Sequence, residues 1–284
     1  MLVFVRAPEP GRVKTRLAAA IGADAALRIY RRLAGVAAAS AGLVGMAWMA
    51  DVSRRRRDAS RLHRGMVDAL LNALYAGDPV TARHSRRVAD LSYALARAVG
   101  MRGGELHTLR IAALLHDMGK IDDRFFHIVH SRTPLTKEQR AEIKNHPHES
   151  AHILTPLESE HPGITEIVST HHECWDGSGY PHGLADLDIP LEARIIAVAD
   201  AFDAMTQPRK YRDAMPVEKA LHALREGSGT QFDPALVDLA EAEPVREVWE
   251  QVVERDLFAE RCAVDGITEG DAQEQVGAGK NDRE

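Results

Sequence analysis

The sequence predicts a mainly α-helical fold, a helical bundle around a two-metal centre preceded by a short, truncated α/β-like segment. Three observations carry that prediction. Ala and Leu are abundant while aromatic residues make up only 5% of the chain, a composition biased towards helix. From about Gly65 to Ala240 apolar residues recur at helical spacing with few strand signals. His and Asp interrupt those apolar faces, where an unpartnered polar side chain is expensive to bury and a coordinated cation offsets the cost. The length of 284 residues fits one large domain plus something small, or two modest domains, at roughly 100–200 residues per domain.

Taken in order, residues 1–52 open with an apolar strand-like run, Leu2–Val5, followed by the Pro- and Gly-containing stretch from Ala7 to Leu17 and a helical stretch from about Ala23 to Ala38. Leu33–Ala50 carries no charge over 18 residues, the minimum for a membrane span. It is mostly Ala and Gly, and basic residues flank both sides, so it gives no orientation signal. The alternative is a buried helix end followed by a short strand, Gly45–Val52. Residues 53–64 form a basic linker containing Arg54 to Arg57.

The helical part, residues 65–242, is predicted as one domain. After the turn Gly77-Asp78-Pro79, Val88, Leu91, Leu95 and Val99 share a helical face, with His84 on the same stripe. In the next helix Leu106, Leu109, Ala113 and His116 share a face, with Asp117 beside them. His171 and His172 close a helix and lead into a loop, Gly177-Ser-Gly-Tyr-Pro181, whose composition fixes its shape. A helix starting after Pro190 places Ile196 and Asp200 on one stripe. Residues 243–284 read as a C-terminal helix and a polar, Gly-rich tail with roughly its last 20 residues disordered.

The net charge of -6 argues against a general nucleic-acid binder, so an anionic ligand must be met by local basic residues. The two cysteines, Cys174 and Cys262, have no paired spacing and fit reduced thiols in a cytoplasmic protein. A membrane-anchored alternative rests on residues 33–50.

Of 14 histidines, all but His63 lie between His84 and His222. The inward polar set is His84, His116, Asp117, His146, His171, His172 and Asp200, residue types suited to Fe, Mn or Zn. Seven ligands exceed the four of a tetrahedral site, so two metals are the natural count, with Asp117 placed to bridge them. Two metals about 3.5–4 Å apart form a template for phosphoester hydrolysis. Lys120, three residues after Asp117, reaches the same site by helical spacing, and Arg209 and Arg212 offer further cations for phosphate oxygens. Tyr180 is able to hydrogen-bond to a ligand base or stack on it.

The stretches Asp78–Ser85, Leu115–Lys120, Asn145–His148, His171–Pro181, Ala193–Asp200 and Thr230–Pro234 together resemble the HD-GYP family, a branch of the HD phosphohydrolase superfamily, over about residues 62–240. The resemblance implies an all-helical fold, a metal centre of iron or manganese, and hydrolysis of cyclic di-GMP to the linear dinucleotide or GMP. It puts His84, His116, Asp117, His146, His171, His172 and Asp200 on metal positions. Asp117 and Lys120 become catalytic candidates, and Lys120, Tyr180, Arg209 and Arg212 substrate contacts. Alternatives are an HD-type phosphohydrolase of another nucleotide, or a low-turnover module that binds cyclic dinucleotides. The expected partner is cyclic di-GMP, with no nucleic acid; a homodimer is left open.

Four departures from the family pattern stand out. Some members carry a Glu four residues before the first histidine that helps to hold a third metal, and Val80 stands there; two divalent ions are therefore predicted. Asp122–Pro134 is atypical, Lys210 stands where a proline is usual, and Cys174 where a basic or polar residue is usual. At the other end, Pro8–Leu17 after its strand resembles the phosphate loop that begins a nucleotide-sugar transferase-like family. It covers about 50 residues, too few to close a parallel sheet, so it is read as a truncated remnant or an accidental fusion, without independent transferase activity.

Overall fold

The structure is a computed structural model. It describes residues 65–121, 135–208 and 213–265, together with 22, 24–25, 28–29, 31–32, 48–49, 51–54, 124–125 and 128, with side chains up to Leu257. The chain divides into two compact units, Met1–Gly65 and Met66–Glu284. In the first, the described residues 24–25, 28–29, 31–32, 48–49 and 51–54 are helical. The strand predicted over Gly45–Val52 is therefore corrected to helix at its described positions. Ala and Met outnumber β-branched residues there, so local propensity favours helix. Leu2–Val5, the phosphate-loop-like stretch and most of Leu33–Ala50 lie outside the described residues. Among the described residues no helix is long and apolar enough to cross a membrane.

Among the described residues of the second unit the regular elements are all helices, joined by turns and loops, with one isolated bridge, Ser228 to Phe232. After α1 (residues 65–77) come α2 (Pro79–Val99), α3 (Gly103–Leu115), a 3₁₀ turn (Met118–Ile121), α4 (Lys137–Ile143), α5 (His146–Leu154) and α6 (Ile164–Ser169). They are followed by α7 (Leu191–Thr206), α8 (Val217–Glu226), α9 (Pro234–Glu241) and α10 (Glu243–Asp265).

Local chemistry explains the boundaries. Asp78 caps α2, its carboxylate accepting from the amides of Val80 (3.0 Å) and Thr81 (3.1 Å). Gly100 ends the helix in the left-handed region at φ 98°, where a glycine costs least. Thr136 and Gln139 form a reciprocal capping box on α4.

Helix α2 runs through the middle of the bundle and packs against α3, α7, α9 and α10. Val88, Leu91, Leu95, Leu109 and Ala113 are fully buried on the faces the spacing predicts. Each buried Leu contributes about 1.5–3 kcal/mol, well above the 0–1 kcal/mol typical of exposed ion pairs such as Arg255 with Asp90. Apolar packing therefore decides the arrangement. Helix α10 belongs to this core: Trp249 is fully buried, lies 4.4 Å from the Phe202 ring, and donates its indole N–H to the Leu91 carbonyl at 3.1 Å.

One close approach sets up the site. The 3₁₀ turn lies against the start of α5, and a Cβ on Gly119 would stand 2.5 Å from the His146 carbonyl and 2.8 Å from the Ser150 amide. Glycine alone fits this contact, which brings His116 and Asp117 up to His146. The Gly119 amide donates to Ser150 Oγ at 2.8 Å, closing the seam.

Candidate metal centre

Six of the seven predicted ligands gather into two groups, His84–His116–Asp117 and His146–His171–His172, each with its potential ligand atoms within 4.8 Å of one another. Asp200 joins the first, its Oδ1 lying 3.2 Å from His84 Nε2. Asp117 stands between the groups. Its Oδ2 lies 3.4 Å from His116 Nε2 and 3.7 Å from His84 Nε2, while its Oδ1 lies 3.2 Å from His146 Nε2.

The histidines are aimed by their other ring nitrogens. Nδ1 of His116 donates to the Ala113 carbonyl (2.8 Å), Nδ1 of His146 to Ile143 (2.7 Å), and Nδ1 of His171 to Val168 (2.6 Å). Carbonyls only accept, so the proton sits on Nδ1 and the Nε2 lone pair points inward. Those three Nε2 atoms are buried without a hydrogen-bond partner. For His116 and His146, a lone pair faces a carboxylate oxygen at 3.4 and 3.2 Å, a repulsive pairing of two acceptors. A cation between them removes the repulsion and satisfies both. The donor set of imidazoles and carboxylates thus fits a first-row divalent metal.

Electrostatics agree. Burial, then the charge of Lys120, lowers the pKa of His146. Burial, then neighbouring imidazoles, lowers that of His171 well below its ordinary value. Burial takes His172 down to about 3. These rings are neutral and their lone pairs available. His84 differs: burial works against its charged form, yet the carboxylates of Asp200 and Asp203 outweigh burial and raise it to about 10.

Lys120 Nζ lies 2.7 Å from the Asp117 carboxylate and is partly exposed, so its charge meets both the cluster and solvent. Tyr180 stacks on His172, ring centroids 5.0 Å apart. Its loop is held to the cluster by backbone: the Tyr180 amide donates to the His172 carbonyl at 3.2 Å. The amides of Trp175 and Asp176 donate to Gln231 (3.2 Å) and Thr230 (2.9 Å), so the Thr230–Pro234 stretch serves as the loop's support. Arg209 and Arg212 lie outside the described residues. Val80 is exposed and offers no ligand atom.

Four further positions around the candidate site escape sequence reasoning. Asp203 accepts from His84 Nδ1 at 2.7 Å, and Arg87 grips Asp203. Glu173, almost fully buried, accepts from the amides of His182 (2.7 Å) and Leu184 (3.1 Å). The Lys144 ammonium lies 4.8 Å from the Tyr180 ring centroid. A signal existed for two of them: Arg87 and Asp203 stand three residues after His84 and Asp200, one turn along the same helices.

Residues 69–236 match the HD domain family. A cyclic di-GMP phosphodiesterase of Thermotoga maritima is 40% identical over 164 residues, covering 57% of this chain and 44% of that protein. The cyclic di-GMP phosphodiesterase response regulator RpfG of Xanthomonas campestris is 35% identical over 196 residues, covering 68% and 49%. A 3'3'-cGAMP-specific phosphodiesterase of Vibrio cholerae is 34% identical over 199 residues, covering 69% and 37%. The chain thus spans less than half the length of these curated relatives.

Proposed function

We propose that this chain, which belongs to the HD domain family, is a metal-dependent phosphodiesterase of the HD-GYP type that opens the 3'-5' phosphodiester of cyclic di-GMP, giving the linear dinucleotide or GMP. The observation that carries this reading is the position of Asp117, with one carboxylate oxygen towards each histidine group. Such a carboxylate is placed to bridge two divalent ions. His84, His116 and Asp200 would hold one and His146, His171 and His172 the other; iron or manganese suits the donor set.

When bound, the ions supply Lewis-acid stabilisation and an activated water. The protein's own contribution is positional. Lys120, held against Asp117 at the edge of the site, is placed to meet charge developing on the phosphate. Tyr180 presents a ring beside His172 for stacking or hydrogen bonding with a base. Arg209 and Arg212 are proposed as further phosphate contacts on their spacing from one another and their place after α7. The Vibrio relative named for 3'3'-cGAMP favours a second reading on the same chemistry, in which the substrate is another cyclic dinucleotide.

Purification under anaerobic conditions, metal counting, and parallel assays of cyclic di-GMP, 3'3'-cGAMP and cyclic di-AMP with added Mn²⁺ or Fe²⁺ test both readings. Two bound ions with turnover fastest on cyclic di-GMP is the expected result. Faster turnover of another cyclic dinucleotide transfers the assignment to the second reading, and binding without product sinks both.

A further inference from the structure

The His84 side of the metal centre is built differently from the rest. His84 lies inside α2, where its neighbouring carbonyls are engaged by the helix. Its Nδ1 proton goes instead to a carboxylate on another helix, Asp203 of α7, at 2.7 Å. Asp203 is held in turn by Arg87 of α2: Nε donates to Oδ1 at 2.6 Å and Nη2 to Oδ2 at 3.1 Å. This two-pronged pairing fixes the plane of the carboxylate, so that Oδ2 serves His84. The third bond of the guanidinium leaves the site: Nη1 donates to Asp256 of α10 at 2.6 Å.

Both charges at the centre of this chain are almost fully buried, Arg87 at 6% and Asp203 at 1% exposure. A buried ion pair replaced by apolar residues is often neutral for stability or better, so folding alone gives weak reason to keep one here. The pair's placement between a candidate ligand and the C-terminal helix gives a stronger one. We propose that Arg87, Asp203 and Asp256 form a positioning relay through which helix α10 sets the orientation of His84, and with it the affinity of one of the two metal sites. The inference deepens the proposed function and rests on its metal centre. The other three aimed histidines take their orientation from carbonyls three residues back in their own chain segments. The relay therefore acts on one site and leaves the His146–His171–His172 site alone.

The test is Mn²⁺ binding to the full-length, metal-stripped protein, followed by electron paramagnetic resonance and by mass spectrometry of retained metal. Asp256→Ala is expected to weaken one Mn²⁺ site about tenfold and leave the other unchanged. Arg87→Met is expected to weaken the same site by about 10–100-fold, the range for loss of an outer-shell partner. Asp256→Asn, which keeps an acceptor for Nη1, recovers most of the loss. Asp90→Asn, which breaks the exposed Arg255–Asp90 bridge across the same two helices, changes neither site. The ring-proton signal of His84 in the metal-free protein gives a second readout: it shifts in Asp256→Ala and stays in Asp90→Asn. Equal weakening of both sites, or unaltered binding with an unaltered His84 signal in Asp256→Ala, overturns the relay. A wild-type protein that binds no Mn²⁺ overturns the metal centre itself and the relay with it. Asp256 is partly exposed, so its variants keep the test decisive where Arg87→Met fails to fold.

Discussion

His116, His146 and His171 are oriented by their own backbone, while His84 is oriented by a neighbouring helix. Each of the first three stands at or just beyond a helix end and donates Nδ1–H to the carbonyl three residues before it. Carbonyls in the last turn of a helix lack intrahelical donors, and a histidine placed there takes one up without competing with the helix. His84, in mid-helix, has no such carbonyl to spare and depends on Asp203. A ligand at a helix end needs little beyond local chain geometry. A ligand inside a helix needs the tertiary fold, and its geometry is only as firm as the packing that supplies its partner.

The most severe way to break this comparison is to remove what both sides share. His116→Ala together with Asp117→Ala is expected to abolish bound metal and turnover in the same protein, measured by metal analysis and product chromatography. Turnover retained in the double variant would sink the assignment. A smaller change separates the sides. Trp249→Ala empties a fully buried position between α10 and Phe202 and is expected to cost about 3–5 kcal/mol in urea unfolding. In the folded remainder, metal is lost first from the His84 side. Smaller again, Gly119→Ala sets a methyl group against backbone atoms at 2.5 and 2.8 Å. A cost of about 1–3 kcal/mol is expected, with both sites weakened, because the seam it forces open joins Asp117 to His146.

The smallest effect is expected at a carboxylate outside the candidate metal centre, Glu158, whose partners lie in a neighbouring turn. Burial pushes the Glu158 carboxyl upward, but the amides of Gly163 (2.7 Å) and Thr165 (3.2 Å) and the Thr165 hydroxyl (2.9 Å) outweigh it and lower its pKa. Its folded value lies below its unfolded one, so its contribution is present above about pH 4.3 and is lost as pH falls through the folded value. Glu158→Gln is expected to flatten that part of the stability profile, read from thermal melts at successive pH values, with metal content at neutral pH unchanged.

The same contrast marks what the sequence made legible. Val88, Leu91 and Leu95 reveal their face by spacing, and His84 is read from it directly. His116 and Asp200 follow from their own helices in the same way, and the loop from Gly177 to Pro181 announces itself by composition. Asp203 does not stand out in the sequence, because an acidic residue one turn after another is a common sight on a solvated face. Only the crossing of α2 and α7 shows it buried against Arg87. Glu173 was hidden for a related reason: its partners are main-chain amides nine and eleven residues away, and no pattern of side chains encodes them. The predicted strand near Trp48 failed because Ala and Met favour helix there, a preference that a short apolar run does not reveal.

The Glu173 clasp has a consequence for how such a loop can change over generations. Both of its bonds to the loop go to main-chain N–H groups, of His182 and Leu184, so they are indifferent to the side chains carried at those two positions. The loop's form and the identity of its neighbouring side chains are thereby uncoupled. Substitutions at the rim can be sampled one at a time while Tyr180 keeps its place beside His172, so the side chains around the candidate metal centre have room to change without the loop being rebuilt.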